Sequence, residues 1–148
     1  NYKLLIVGDG KLKYELQNLV NKLNLNKRIK FSGWKTDLKN YFINSKLFIL
    51  NSLYEGLGNV LIDAVNFNLP IKTTNCKSGP NEIINHGKGG FLVPIQNPDK
   101  LSKKILFCIK NYSLSIKKAN NAKKSINRFD CNANCKKYFK LINRTINE

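Results

Sequence analysis

A chain of 148 residues with 42% hydrophobic, 10% aromatic and 24% charged residues lies within the globular range, long enough for one domain with a real core. This composition excludes disorder and low complexity, no apolar run reaches the length of a membrane span, and residues 1–6 carry no signal-peptide pattern. The 26 Lys and Arg against 9 Asp and Glu give a net charge of +17, but Lys is spread along the whole chain with no dense basic run, so it reads as solvated helix faces before a polyanion site.

Residues 2–7 form a short apolar run ending in Gly8-Asp9-Gly10, the pattern of a buried parallel strand turning into the loop before a helix. Leu12, Leu16, Leu19, Val20 and Leu23 then recur at helical spacing over 11–25, with Asn24 and Asn26 as the stop. Residues 28–31 read as a second strand, with Ser32-Gly33-Trp34 as its turn. Asp37 is a cap for a short helix carrying Leu38, Tyr41 and Phe42 inward, and 46–50 is a third strand.

After the loop 51–58, Val60, Leu61, Ala64 and Val65 mark a helix, and 69–73 a further strand. Gly79-Pro80 starts a short helix, 90–94 is a last strand, and Asn97-Pro98 is an N-cap followed by Pro at the first helical position. Leu101, Ile105, Leu106 and Ile109 form one apolar stripe. Asp130 caps the final helix, whose inner face is expected to include Cys135, Tyr138, Phe139 and Ile142. Strands alternating with helices through short connections imply an α/β fold, with a mostly parallel sheet covered by right-handed crossovers on both faces.

Cys76, Cys108, Cys131 and Cys135 read as free, buried or half-exposed structural thiols of a cytoplasmic protein. A zinc site at Cys131 and Cys135 would need further ligands, and the single His86 lies in a distant loop.

In open α/β sheets a ligand lies beyond the carboxyl ends of the strands, which gives weight to the loops after Val7, Phe31, Leu50 and Thr73. The loop 51–59 (NSLYEGLGN) carries Glu55, Gly56 and Gly58 and no Lys or Arg. Glycines there let backbone N–H groups approach an anion, and a helix start adds partial positive charge suited to phosphate. Asp63 lies about one turn inside that helix. Carboxylates accept sugar or ribose hydroxyls, so Glu55 and Asp63 beside a phosphate cradle suit a sugar diphosphate. The same residues also fit a plain turn with Asp63 balancing the helix dipole.

The segment 52–64 (SLYEGLGNVLIDA), followed by 69–71 (LPI) and 78–84 (SGPNEII), resembles the donor-binding domain of family 4 retaining glycosyltransferases. Residues 5–10 (LIVGDG), 31–34 (FSGW) and 90–94 (GFLVP) match the same family in the same order, so the resemblance covers nearly the whole chain. It implies the C-terminal, Rossmann-like half of a GT-B fold. The family's E-x7-E motif falls on Glu55 and Asp63, the second position being one methylene shorter. The resemblance implies that Glu55 meets the transferred sugar and is the catalytic residue. It implies that Asp63 holds the ribose hydroxyls and that the amides of Leu57, Gly58, Asn59 and Val60 hold the diphosphate. Gly8, Gly56, and Gly33 with Trp34 beside the nucleobase complete the donor set, while Trp34 fits ordinary packing equally well.

The same resemblance implies transfer from a nucleotide diphosphate sugar with retention of configuration, in surface polysaccharide or glycan synthesis, with no metal and no cofactor beyond that substrate. It implies an acceptor glycan or lipid-linked sugar bound through an N-terminal domain. Peripheral contact with the inner face of a membrane belongs to the same expectation. The family's donor domain opens with a further strand and helix bearing an Arg and a Lys that neutralise the departing diphosphate; residues 1–148 hold no matching pair, and the chain by itself is expected to be inactive. A basic nucleic-acid-binding module and an inactive remnant of a split transferase are the competing readings. A dinucleotide fingerprint fails because Lys13 stands where the third glycine is required.

Overall fold

Asparagine ends two of the crossover helices by the same device. The computed structural model describes residues 2–146, which fall into two compact units divided between Asn40 and Tyr41. In the first, β1 (Leu4–Ile6) and β2 (Ile29–Phe31) pair in parallel, Leu4 opposite Ile29 and Ile6 opposite Phe31, with α1 (Lys13–Lys22) between them in sequence. Asn24 takes a left-handed φ of 54°, and the N–H of Leu25 returns to the carbonyl of Val20 at 3.0 Å. A short polar side chain tolerates that backbone better than a branched one.

The expected inward faces of this unit are not buried. Leu12, Leu16, Leu19 and Leu23 on and around α1 are exposed, only Val20 is buried, and Leu4, Leu5 and Val7 leave β1 an exposed strand where a buried one was expected. Two three-residue strands and one helix have too little surface to cover one another.

In the second unit β3 (Phe48–Leu50), β4 (Ile71–Thr74) and β5 (Phe91–Val93) form a parallel sheet in the order β3-β4-β5. The α/β class and parallel pairing are as expected, but the strands form two ladders where one sheet was expected. The crossover α3 (Asn59–Asn66) buries Leu61, Ala64 and Val65 completely, and Asn68, at φ 56°, repeats the device of Asn24. Phe42 of α2 (Lys39–Ile43) stacks on Phe67 with centroids 5.2 Å apart and meets Phe48 edge-on.

Beyond β4 lie α4 (Pro80–Ile83), α5 (Pro98–Lys110), α6 (Tyr112–Ser125), a 3-10 turn and α7 (Cys131–Ile146). The predicted caps are in place. Asn97 Oδ1 accepts from the N–H of Lys100 at 2.9 Å, and Asp130 Oδ1 accepts from that of Ala133 at 2.7 Å. Among the described residues no helix is long and apolar enough to cross a membrane.

Three expectations fail in this unit. The side of α7 bearing Cys135, Tyr138, Phe139 and Ile142 is no inner face, because no residue of α7 is buried. Cys131 and Cys135 are exposed thiols with sulfurs 3.9 Å apart, whereas Cys76 and Cys108 are buried. Lys72 is 0% exposed in the central strand, with no hydrogen-bond partner for its Nζ. Burial pushes its amine down from 10.5 to about 8. A solvated helix face does not account for this Lys, nor for half-buried Lys118, which donates to the Gly87 carbonyl and lies against the Phe91 ring.

Candidate functional site

β3 ends at Leu50 and α3 begins at Asn59, and the eight residues between them are held by side chains from the end of β4 and the loop beyond it. The Thr74 hydroxyl donates to the carbonyl of Ser52 at 2.6 Å, and the Ser78 hydroxyl to the carbonyl of Glu55 at 2.8 Å. Gly79, at φ 81°, lies directly beneath the loop: a Cβ there would come within 2.4 Å of the Leu57 carbonyl oxygen and 2.6 Å of that of Gly56. Only glycine permits both that backbone and that approach. Pro80 begins α4 immediately afterwards, with the Glu82 carboxylate at a long 3.5 Å from the Gly79 N–H.

Within this frame Glu55 is half-buried, and its Oε1 accepts from the Ser52 hydroxyl at 2.6 Å. Three residues further on, buried Gly58 adopts a left-handed φ of 84° and serves as the N-cap of α3. No side chain caps this helix, in contrast to α5 and α7 with Asn97 and Asp130. The N–H of Leu61 folds back on the Gly58 carbonyl at 2.8 Å. A helix start leaves its leading amides without carbonyl partners, and together with the helix dipole they attract an anion.

The structure therefore brings Glu55, Gly56, Leu57, Gly58, Asn59 and Val60 into one short arc at the carboxyl end of β3. Asp63 follows in the next turn of α3 as an exposed side chain. Separately, in the first unit, Gly8 donates its N–H to the carbonyl of Gly33 at 2.9 Å, joining the loops after β1 and β2. Asp9 pairs with Lys13 at 2.7 Å beside them; the Lys13 hydrogen bond and the Gly10 N–H hold its carboxyl below the usual range. Trp34 is 75% exposed, so it does not serve as core packing. Among the described residues no three His, Cys, Asp or Glu side chains come together as metal ligands.

Sequence reasoning missed Ser52, Thr74 and Gly79 as the supports of the Glu55 loop, and Ser78 as the clamp on its backbone. The Ser-Gly-Pro run after β4 was the available signal, but what it touches depends on the register of two adjacent parallel strands.

The arrangement offers amides to a phosphate and carboxylates to hydroxyls. The family model described as Glycosyl transferases group 1 matches residues 1–125. This chain belongs to that family. It is 30% identical over 128 residues to a Campylobacter jejuni N-acetylgalactosaminyltransferase whose name specifies a diphospho-undecaprenol-linked acceptor, a match covering 86% of this chain and 35% of the relative. Anabaena HepE in complex with UDP-glucose superposes with a TM-score of 0.77 at 26% identity, over 85% of this chain and 36% of that one. S. aureus TarM in a complex containing UDP gives 0.86 at 26% identity, over 95% of this chain and 29% of that one. The first curated relatives are matched over only 21% to 41% of their own length. The fold of this family member is thus that of part of the GT-B glycosyltransferases.

Proposed function

We propose that this glycosyltransferase chain is the donor-binding part of a retaining enzyme that takes a sugar from a nucleotide diphosphate. Glu55 meets the transferred sugar, Asp63 accepts hydrogen bonds from the ribose hydroxyls, and the amides of Leu57 to Val60 hold the diphosphate. The transition state separates an oxocarbenium-like sugar from a leaving diphosphate. The work of the site is then to stabilise charge that develops on both. The Glu55 carboxylate, already aimed by Ser52, faces the positive sugar, and the uncapped start of α3 faces the negative leaving group. Neither role requires a metal.

The observation that carries this reading is the pairing of a half-buried, hydroxyl-anchored acid with an open helix start three residues later. The nucleotide complexes of Anabaena HepE and S. aureus TarM support it, as does the lipid-linked acceptor in the name of the Campylobacter relative. We place the acceptor, a glycan or lipid-linked sugar of surface polysaccharide synthesis, on an N-terminal domain, at the cytoplasmic face of a membrane. Transfer by residues 1–148 alone is then undetectable, because positioning the second substrate supplies much of the rate.

Calorimetric titration with UDP, GDP and their sugars tests the proposal. Part of a cleft should give a dissociation constant near millimolar, on the order of 4 kcal/mol. A folded chain that binds none of them would leave the inactive-remnant reading in its place.

A further inference from the structure

The end of α4 and the loop after it are held by α6 and by the 3-10 turn Ile126–Phe129 that follows it. The Arg128 guanidinium donates to the main-chain carbonyl of Glu82, and the Lys118 ammonium to that of Gly87. Gly89 lies so close to α6 that a Cβ there would come within 2.7 Å of the Ala122 Cβ. Arg128 is itself fixed from two sides. Its carbonyl accepts from the Asn134 side-chain amide at 2.9 Å, and its guanidinium lies 4.8 Å from the centre of the Phe129 ring. All of these contacts lie inside the second unit, so they do not depend on what covers its exposed surfaces.

The other end of α4 is Gly79, directly beneath the Leu57 and Gly56 carbonyls and next to Ser78, which holds the Glu55 backbone. The helix is a single turn, closed by the N–H of Ile83 on the Gly79 carbonyl at 3.0 Å, so a displacement at Glu82 is carried to Gly79. Ile83 and Ile84 are fully buried and anchor its apolar side. Burial alone is non-directional and leaves the turn free to slide or rotate over that contact. A cation donating to a trailing helix carbonyl removes this freedom, because the bond has a fixed length and direction. We propose that Arg128 is a positioning residue for the donor loop and acts through α4, with Lys118 as its companion. It does not itself meet the donor. The inference rests on the donor-site reading and extends the support of the Glu55 loop to the turn before α7.

UDP calorimetry and amide NMR of Arg128→Ala, Arg128→Lys and Lys118→Met test it. Arg128→Ala should move the amide signals of Gly79, Gly56 and Leu57 in the ligand-free chain and lower UDP affinity roughly three- to tenfold. Arg128→Lys keeps one cationic donor and should restore most of both. Because the Arg128 bond is exposed to competing water, the midpoint of thermal unfolding should change little. Combined with Ser78→Ala, the loss of affinity should be smaller than the sum of the two single losses, since both act on one loop. Lys118→Met keeps the stem over the Phe91 ring and should move the same amides, which covers the case of an Arg128→Ala chain that does not fold. A wild type that binds no UDP removes the donor-site reading, and the ligand-free amide signals still report whether Arg128 sets the loop. A folded Arg128→Ala chain with unmoved loop amides overturns the proposal. So do a loss of stability at wild-type UDP affinity and strictly additive losses with Ser78→Ala.

Discussion

The Ser78 hydroxyl donates to the main-chain carbonyl of Glu55 at 2.8 Å, while the Glu55 carboxylate is held by a different residue, Ser52. The backbone and the side chain of the candidate catalytic acid are therefore positioned independently, one from the loop after β4 and one from within its own loop.

Removing the first tie should loosen the loop with little effect on the fold. Ser78→Ala leaves an exposed carbonyl that water can reach, so its stability cost should stay within about 1 kcal/mol, while donor affinity falls. Gly79→Ala should be much worse. Its Cβ would sit 2.4 Å from the Leu57 oxygen, and φ is 81°. Urea unfolding and UDP titration of the two variants check the order. Equal donor affinity in wild type and Gly79→Ala would mean that this loop does not hold the ligand.

The two acids should separate by ligand. Asp63→Ala should weaken UDP and UDP-sugar alike by about 1.5–3 kcal/mol, the value of a hydrogen bond to a charged group. Glu55→Ala should leave UDP affinity almost unchanged and remove only what the sugar adds. Calorimetry with both ligands reads the difference. Loss of UDP affinity on Glu55→Ala alone would exchange the assigned roles.

Lys72 should destabilise the protein at neutral pH. Its amine titrates at about 8 in the folded chain against 10.5 unfolded, so the unfolded state binds more protons between those values. Stability is then highest above pH 10.5, falls as pH drops toward 8 and is level below it. Lys72→Met keeps the apolar stem and removes the unpartnered charge, and should gain about 3 kcal/mol below pH 8, with the gain shrinking toward pH 10.5. Urea unfolding of both forms at pH 7 and 10 measures it. A variant no more stable than wild type at pH 7 would show that the amine finds compensation.

The thiols should divide two and two. Cys131 and Cys135 are exposed and should react with a disulfide reagent in the folded state, Cys131 at higher pH than an ordinary thiol because its hydrogen bond with Cys135 holds its proton. Cys76 and Cys108 are buried, burial also pushes the Cys108 thiol up, and both should wait for opening of the fold. Four thiols reacting at one rate would contradict this packing.

Elements set by local chemistry were legible in the sequence. Asn97 and Asp130 cap their helices, and Asn24 follows α1, because a cap depends on a few neighbouring residues. The spacing of Val60, Leu61, Ala64 and Val65 marks α3 as a helix, and the last three are the residues it buries. The same rule failed at Leu12, Leu19, Tyr138 and Phe139, since periodicity identifies an apolar side without saying what covers it. Lys72 was illegible for a related reason. In an alternating strand it would face water, whereas the central strand of a parallel sheet is covered on both faces. At the site, Glu55 and Gly58 could be read from one loop. Their support by Thr74, Ser78 and Gly79 arises only when β3 and β4 pair in register.

Amide NMR of the isotope-labelled chain titrated with UDP-glucose tests the central claim most directly. The donor-site account predicts shifts concentrated at the amides of Gly56, Leu57, Gly58, Asn59 and Val60, with Asp63→Ala reducing them at every ligand concentration. A well-dispersed spectrum in which those five amides stay fixed, or in which ligand shifts fall instead on the Lys-rich helices α5 and α6, would contradict it.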